Sequence, residues 1–130
     1  MGLRLLLDTH ALLWALMEPE RLSARARNLI EDPANALLVS AASAWEIASK
    51  HRLGRLPEAE AVVRGFQRHL TTLQAVELRI SVEHALLAGS LPGEHRDPFD
   101  RMLAAQALIE GVPLLTVDPI FTAFRVPVTW

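Results

Sequence analysis

Short runs of almost uniformly apolar residues constrain this chain to a parallel sheet that is covered on both faces. Residues 3–7, for example, carry four leucines, and such a strand would expose apolar side chains if either face met water. Similar runs predict further strands at residues 35–40, 74–78, 113–118 and 126–130. Pro127 has no backbone donor, so we expect the last of these strands at an edge of the sheet.

Helical spacing of apolar residues fills the segments between these runs. Helices are predicted at residues 9–17, 24–32 and 82–91, an amphipathic stripe extends over 58–73, and another helix opens at Ser43. Ser43 and Glu46 have the spacing of a capping box, in which Glu46 reaches back to the Ser43 N–H. Strands that alternate with helices indicate an α/β fold in which helices sandwich the parallel sheet. We expect a single domain over residues 1–130, because no linker composition interrupts the chain.

Composition excludes several classes of protein. The chain has no cysteine, which removes disulfide frameworks and zinc–thiolate sites and suits a reducing cytosol. No apolar run is long enough to cross a membrane, so we expect a cytoplasmic protein with no membrane partner. A formal net charge of −2 gives no bulk attraction for nucleic acid, so any nucleic-acid role requires a local basic patch.

The segment from Asp97 to Asp100 is a helix start that carries two carboxylates. Asp97 is a good N-cap, and Pro98 suits the first helical position, where its missing N–H costs nothing. Asp100 follows three residues later, so both side chains face one patch of space beside the positive end of the helix. Small apolar residues then continue this helix to Gly111, a suitable C-cap.

Other acids are predicted to lie beside that helix start. Asp8 and Asp118 end predicted strands, and Glu46 opens the helix after the second strand. In an open parallel sheet these positions share the carboxyl edge, where ligands bind at the switch point of strand order. The sequence therefore predicts a pocket that holds up to five carboxylates and no lysine.

Mutual repulsion in such a pocket favours a bound cation. Two like charges about 4 Å apart repel by roughly 4 kcal/mol at an effective dielectric near 20. A helix dipole stabilises an acid at an exposed helix N-terminus by only about 0.3–1 kcal/mol, which offsets a small part of this repulsion. Carboxylates without thiolates favour Mg²⁺ or Mn²⁺, ions that serve phosphoryl chemistry. Each acid also has a structural interpretation as a cap or a turn, and Asp8 is the hardest to explain in that way.

The histidines and tryptophans receive structural interpretations. No histidine pair has zinc-ligand spacing. His10 and His95 lie near the acids in sequence and could support them from behind, although a surface or packing role is the more common one for such histidines. Tryptophan more often belongs to a core than to a base-stacking platform. We therefore assign Trp14, Trp45 and Trp130 to the core.

Four short motifs follow one another from one end of the chain to the other. They are Asp8-Thr9-His10-Ala11-Leu12-Leu13-Trp14, Ser43-Ala44-Trp45-Glu46-Ile47, Asp97-Pro98-Phe99-Asp100-Arg101 and Leu115-Thr116-Val117-Asp118. In this order they resemble the motifs of PIN-domain proteins, and more closely those of VapC-type toxin ribonucleases from type II toxin–antitoxin pairs. The resemblance implies a PIN-like fold with an acidic site at the carboxyl edge of its sheet.

The resemblance also implies roles for individual residues. Matched by position, the catalytic quartet of the family falls on Asp8, Glu46, Asp100 and Asp118. Asp8, Asp100 and Asp118 would hold the metal, together with Asp97, an additional acid of the Asp-Pro-Phe-Asp-Arg subgroup. The resemblance also places hydroxyl side chains beside these acids, where they can orient the carboxylates or hold a water. These are Thr9, Ser43 and Thr116.

The activity implied by the resemblance is endonucleolytic cleavage of structured RNA with Mg²⁺ or Mn²⁺. It further implies a homodimer and inhibition by a cognate antitoxin protein. RNA has to approach an acidic pocket, so we expect basic side chains at its rim, among them Lys50, Arg96 and Arg101. Arg101 either contacts substrate phosphate or holds Asp100 in place.

Three other functions remain open from the residues. A non-catalytic metal- or RNA-binding module could use the same acids, and a DNA-directed nuclease could share the fold. A phosphoaspartyl protein would also place aspartates at this edge of the sheet. That class needs a lysine near the end of a late strand, whereas the single lysine here is Lys50.

Overall fold

A computed structural model describes residues 2–130 of the chain, and the predicted α/β fold is confirmed. Five strands form one parallel sheet in the order β3-β2-β1-β4-β5. The strands are β1 (Arg4–Leu7), β2 (Ala36–Ser40), β3 (Ala75–Leu78), β4 (Leu114–Leu115) and β5 (Val128–Thr129). Strand β5 begins directly after Pro127 and lies at an edge of the sheet, as predicted. Met1 lies outside the described residues, and the extent of the domain over 1–130 stays a prediction.

Helices cover both faces of this sheet. They are α1 (Thr9–Met17), α2 (Ala24–Glu31), α3 (Ala41–Arg52), α4 (Glu60–Arg64), α5 (Phe66–Leu73), α6 (Val82–Ser90) and α7 (Pro98–Glu110). Short 3₁₀ helices occur at Pro19–Arg21, Pro57–Ala59 and Pro119–Phe124. Within residues 2–130, no helix has the length and apolar character needed to cross a membrane.

The central strand β1 shows why its last three residues are all apolar. Leu5, Leu6 and Leu7 are all fully buried. Leu5 and Leu7 belong to one core cluster with residues of α1, whereas Leu6 belongs to a second cluster with residues of α7. Side chains that alternate along a strand must both be apolar when helices cover both faces.

Strand order places a crevice beside the end of β1. The chain adds β2 and β3 on one side of β1 and then returns to lay β4 on its other side. The backbone N–H of Asp8 donates to the carbonyl of Leu115 at 3.1 Å, which joins the ends of β1 and β4. The ends of β1 and β4 are thus the topological switch point, where ligands bind in open α/β sheets.

The predicted capping box at Ser43 is wrong. Helix α3 begins at Ala41 because Ser40, the last residue of β2, caps it by accepting from the Ala42 N–H at 2.9 Å. Ser43 therefore lies within the first turn, and Glu46 lies a turn further along the helix. The strand leads directly into the helix, so an earlier serine takes the cap position.

The amphipathic stripe over residues 58–73 forms two α-helices rather than one. The break falls at Gly65, between α4 and α5, where the backbone leaves helical geometry with φ −124° and ψ 38°. Glycine lowers the stability of a helix interior by about 1 kcal/mol relative to alanine. Val62 and Leu70 remain buried on either side of the break, so the apolar face predicted from the spacing is preserved.

Candidate active site

A pocket of about 200 Å³ lies at the carboxyl edge of the sheet, at the switch point. Its lining contains all the acids that the sequence predicted to meet there, together with three other side chains: Asp8, Glu46, Asp97, Asp100 and Asp118, with Thr9, His10 and Lys50. The prediction of a pocket without lysine is therefore wrong. Lys50 lies one helical turn after Glu46, and that spacing turns it to the same face of α3.

Asp8 is the most deeply placed of the aspartates, with 4% of its surface exposed. It is the N-cap of α1, where Oδ1 accepts from the Ala11 N–H at 2.7 Å, while Oδ2 accepts from the Thr116 hydroxyl at 2.5 Å. Burial raises the pKa of Asp8 above its usual value, and the Asp118 charge adds to the increase. The two hydrogen bonds oppose this shift by stabilising the ionised form.

Thr116 connects two of the acids. Its Oγ1 donates to Asp8 and accepts from the Asp118 N–H at 3.0 Å. Asp118 in turn caps the following 3₁₀ helix, with Oδ1 accepting from the Ile120 N–H at 3.0 Å. The hydroxyl of Thr116 thus fixes the orientation of Asp8 and the backbone at Asp118.

Glu46 is held by donors on both of its oxygens. Oε1 accepts from the Thr9 hydroxyl at 2.7 Å, and Oε2 lies 2.5 Å from Lys50 Nζ. Thr9 Oγ1 is also 3.0 Å from the buried hydroxyl of Ser43. The hydroxyls that were expected beside the acids therefore contact them or one another.

Asp97 and Asp100 face the pocket from the first turn of α7. Asp97 is the N-cap, and its Oδ1 accepts from the N–H groups of Phe99 at 2.8 Å and Asp100 at 3.2 Å. Asp100 Oδ2 lies 2.9 Å from His95 Nε2. Burial raises the pKa of Asp100, the His95 hydrogen bond lowers it, and the charges of Asp97 and Glu46 raise it further.

His95 contacts one of the acids directly. Its ring nitrogen lies against Asp100, and the ring also packs edge-on against Phe124, with centroids 5.9 Å apart, so it has both roles that the sequence left open for it. The only signal in the sequence was its position five residues before Asp100. A loop gives no periodicity from which the direction of a side chain can be inferred.

Arg101 contacts backbone carbonyls and not Asp100, and its predicted phosphate contact stays a prediction. Its guanidinium donates to three backbone carbonyls, those of Ala88 at 2.8 Å, His95 at 2.9 Å and Leu91. These contacts tie the loop before α7 to the end of α6. Neither a contact with Asp100 nor a free guanidinium directed at substrate is observed among the contacts of the described residues.

Two further side chains lie near the pocket on the outer surface. Arg96 is exposed and lines a hollow next to α7 with Arg101. Trp45 is 58% exposed and packs edge-on against Phe99, with ring centroids 4.7 Å apart, so its assignment to the core is wrong. It precedes Glu46 on α3, and the turn of the helix that buries Glu46 directs Trp45 outward. Trp14 and Trp130 do pack against the core.

The donor set suits a hard divalent cation. Five carboxylates line one small pocket, and repulsion among them contributes to the raised pKa values of Asp8 and Asp100. In the part of the chain that the structure describes, no three acids or histidines are arranged to hold one ion as they stand. Partners within the protein hold each carboxylate in its observed orientation. Coordination of one ion by three of these carboxylates would therefore need at least one of the side chains to turn.

Comparisons with known proteins show which protein family this chain is similar to. The family model for the PIN domain matches residues 5–126. The chain is 35% identical over 124 residues to ribonuclease VapC22 of Mycobacterium tuberculosis, a match that covers 94% of this chain and 92% of the relative. A second relative, ribonuclease VapC16 of the same organism, is 56% identical over a shorter segment of 34 residues.

Solved structures show the same fold at lower sequence identity. The crystal structure of VapBC2 from Rickettsia felis, bound to a DNA fragment from their promoter, gives a TM-score of 0.69 at 15% identity and covers 98% of both chains. The crystal structure of FitAcB from Neisseria gonorrhoeae gives a TM-score of 0.58 at 18% identity, covering 97% of this chain and 96% of that chain.

Proposed function

Because this chain belongs to the PIN-domain family, we propose that its acidic pocket is the active site of a metal-dependent endoribonuclease, the toxin of a type II toxin–antitoxin pair. The observation that carries the proposal is the convergence of Asp8, Glu46, Asp97, Asp100 and Asp118 on one pocket. The ribonuclease relative at 35% identity supports RNA as the substrate. The resemblance of the four motifs to VapC-type toxins supports the place of the chain in such a pair.

Asp8, Asp100 and Asp118 are the proposed metal ligands, with Asp97 as a further candidate. When bound there, Mg²⁺ or Mn²⁺ supplies Lewis-acid activation of water and stabilisation of the leaving oxygen. Thr116 holds Asp8, and His95 holds Asp100, so that both carboxylates are fixed where they line the pocket. Hydrolysis with water as the nucleophile and O3′ as the leaving oxygen would form a new P–O bond to water, break the P–O3′ bond, and leave a 5′-phosphate and a 3′-hydroxyl.

Basic side chains bring RNA to this acidic site. Lys50 lines the pocket, and Arg96 is exposed beside the start of α7. Both can contact phosphates, whereas Arg101 is committed to backbone carbonyls. We further propose a homodimer and a cognate antitoxin as partners, on the strength of the resemblance to VapC-type toxins.

End-labelled total RNA, incubated with the purified chain and Mg²⁺, Mn²⁺ or EDTA, tests the activity. We expect discrete products that require the metal and that disappear with Asp8→Asn. Asp32→Asn is the matched control, because Asp32 is an exposed aspartate outside the pocket and its removal changes net charge equally.

Other outcomes would point to the other functions. RNA that is bound but never cut, with any divalent ion, would indicate a non-catalytic binding module. Metal-dependent cleavage of DNA with RNA left intact would indicate a DNA-directed nuclease. A cyclic phosphate on the product would contradict water as the nucleophile.

A further inference from the structure

We propose that Lys50 is the resident counter-cation of Glu46, and that a divalent cation has to displace it before Glu46 can serve as a ligand. Lys50 is thus a positioning residue that competes with the metal. This inference rests on the metal use in the proposed function. It goes further by assigning the Lys50 side chain a second position, turned away from Glu46 into solvent.

Both oxygens of Glu46 are already occupied by the protein. The Lys50 ammonium lies 2.5 Å from Oε2, and the Thr9 hydroxyl lies 2.7 Å from Oε1. The Glu46 side chain is only 5% exposed, so solvent contributes little to its stabilisation. An ionised carboxylate at this depth requires such partners, since burial without them is costly.

Of the two contacts on Glu46, the one from Lys50 is the one that can leave. Thr9 is buried and also touches Ser43, which limits its rotation. The Lys50 side chain is 34% exposed, and its flexible four-carbon stem allows the ammonium to swing into solvent. Rotation of one surface-facing side chain therefore frees Oε2 without any change in the backbone.

The charge of the pocket makes this exchange a competition between cations. Among its lining residues Lys50 is the only lysine or arginine, against five carboxylates. An ammonium and a divalent ion near Glu46 would repel one another, so occupancy by one disfavours the other. Removal of the ammonium should therefore strengthen metal binding, even though it removes a contact seen in the structure.

Calorimetric titration with Mn²⁺, in the absence of RNA, tests the competition directly. We expect Lys50→Met to bind Mn²⁺ about tenfold more tightly than the wild type, which corresponds to about 1.4 kcal/mol. Lys50→Arg keeps a cation beside Glu46 and should retain an affinity near that of the wild type.

Arg52→Met is the matched charge control. Arg52 lies two residues further along α3, is exposed, and does not line the pocket. If Arg52→Met and Lys50→Met raise the affinity equally, only net charge matters and the inference is overturned. An affinity that is unchanged or weaker in Lys50→Met would also overturn it, because the ammonium would then support the metal site rather than compete for it.

A second variant covers the case in which Lys50→Met does not fold. Lys50→Gln keeps a hydrogen-bond donor near Glu46 and removes only the charge, and it should show the same tightening. Failure of the inference can be told apart from failure of the proposed function. Wild type that binds Mn²⁺ while the variants bind no tighter rejects the inference alone, whereas wild type that binds no divalent ion rejects both.

Discussion

At the residue scale, Asp8 is a carboxylate whose ionised form is destabilised by its position in the fold. It is almost fully buried at the end of a central strand, and both of its oxygens accept hydrogen bonds. Burial nevertheless raises its pKa, and so does the neighbouring Asp118. We therefore expect the Asp8 carboxylate to favour cation binding and to lower the free energy of unfolding of the metal-free protein.

We expect Asp8→Asn to raise the free energy of unfolding of the metal-free protein at neutral pH, by up to about 1 kcal/mol. Asparagine keeps the N-cap acceptor and removes the charge. Urea denaturation in EDTA measures the change, with Asp32→Asn as the control. A large loss of stability in Asp8→Asn would mean that the carboxylate is a structural cap.

The raised pKa of Asp8 also determines how its contribution to the free energy of unfolding changes with pH. Because the folded-state pKa of Asp8 is raised, the folded protein binds more protons than the unfolded chain between the two pKa values, and stability falls as pH rises through that interval. The stabilisation by Asp8→Asn should therefore be present at neutral pH and disappear below about pH 4. Denaturation across this pH range, in EDTA, follows the change.

His95 is the second residue with a specific expectation. Its contact with Asp100 fixes the orientation of that carboxylate, and loss of such a partner typically lowers metal affinity or activity by about 10–100-fold. We expect His95→Ala to weaken Mn²⁺ binding within that range. His69→Ala, at a histidine that does not line the pocket, should bind Mn²⁺ as the wild type does.

At the scale of elements, α7 combines a functional end with a structural body. Asp97 and Pro98 start the helix where the sequence predicted, and Gly111 ends it with φ +66°, a left-handed conformation that glycine adopts without strain. Leu103, Ala104 and Ala107 are buried along it. The small residues let the helix approach the sheet closely, which brings its acidic first turn to the end of β1.

Arg101 stabilises the loop that leads into this helix. We expect Arg101→Met to lower the free energy of unfolding by about 2 kcal/mol, because three carbonyls lose a charged donor. Arg101→Lys should recover only part of the loss, since one ammonium cannot span the three acceptors. Thermal denaturation measures both. Unchanged stability together with weaker RNA binding would instead support the phosphate contact first expected of Arg101.

At the scale of the whole molecule, the proposed function requires a protein with a formal net charge of −2 to bind an anionic polymer at an acidic pocket. Strand order concentrates the acids at one place, where Lys50 lines the pocket and the exposed Arg96 lies beside the start of α7. RNA affinity should therefore depend on a few phosphate contacts and fall with salt.

A variant at Arg96 tests whether RNA affinity depends on a few phosphate contacts. We expect Arg96→Met to weaken RNA binding and to reduce the slope of log affinity against log salt by about one unit. Arg64→Met is the control, because Arg64 is exposed on α4 and paired with Glu60. Binding assays use Asp8→Asn protein so that the RNA stays intact. Equal slopes for the two arginine variants would remove Arg96 from the proposed contact surface.

Sequence by itself determined the strands, most helix boundaries and the acids of the site. These features depend on interactions within a few residues: apolar runs define buried strands, and Asp97, Ser81 and Ser23 cap the N–H groups that follow them. Placement of acids at strand ends was sufficient to predict that they would meet, because parallel strands end at a common edge.

Only the tertiary structure decided how those acids are held. Asp8 and Thr116 are 108 residues apart in sequence and come into contact because β4 lies beside β1. His95 turns back to Asp100, and Arg101 turns away to the loop, because packing of α6, α7 and the loop between them selects one direction for each side chain. Lys50 shares a helix face with Glu46, but only the folded pocket places that pair beside four further carboxylates. Local patterns carry no information on such partners, since each depends on the path of distant segments.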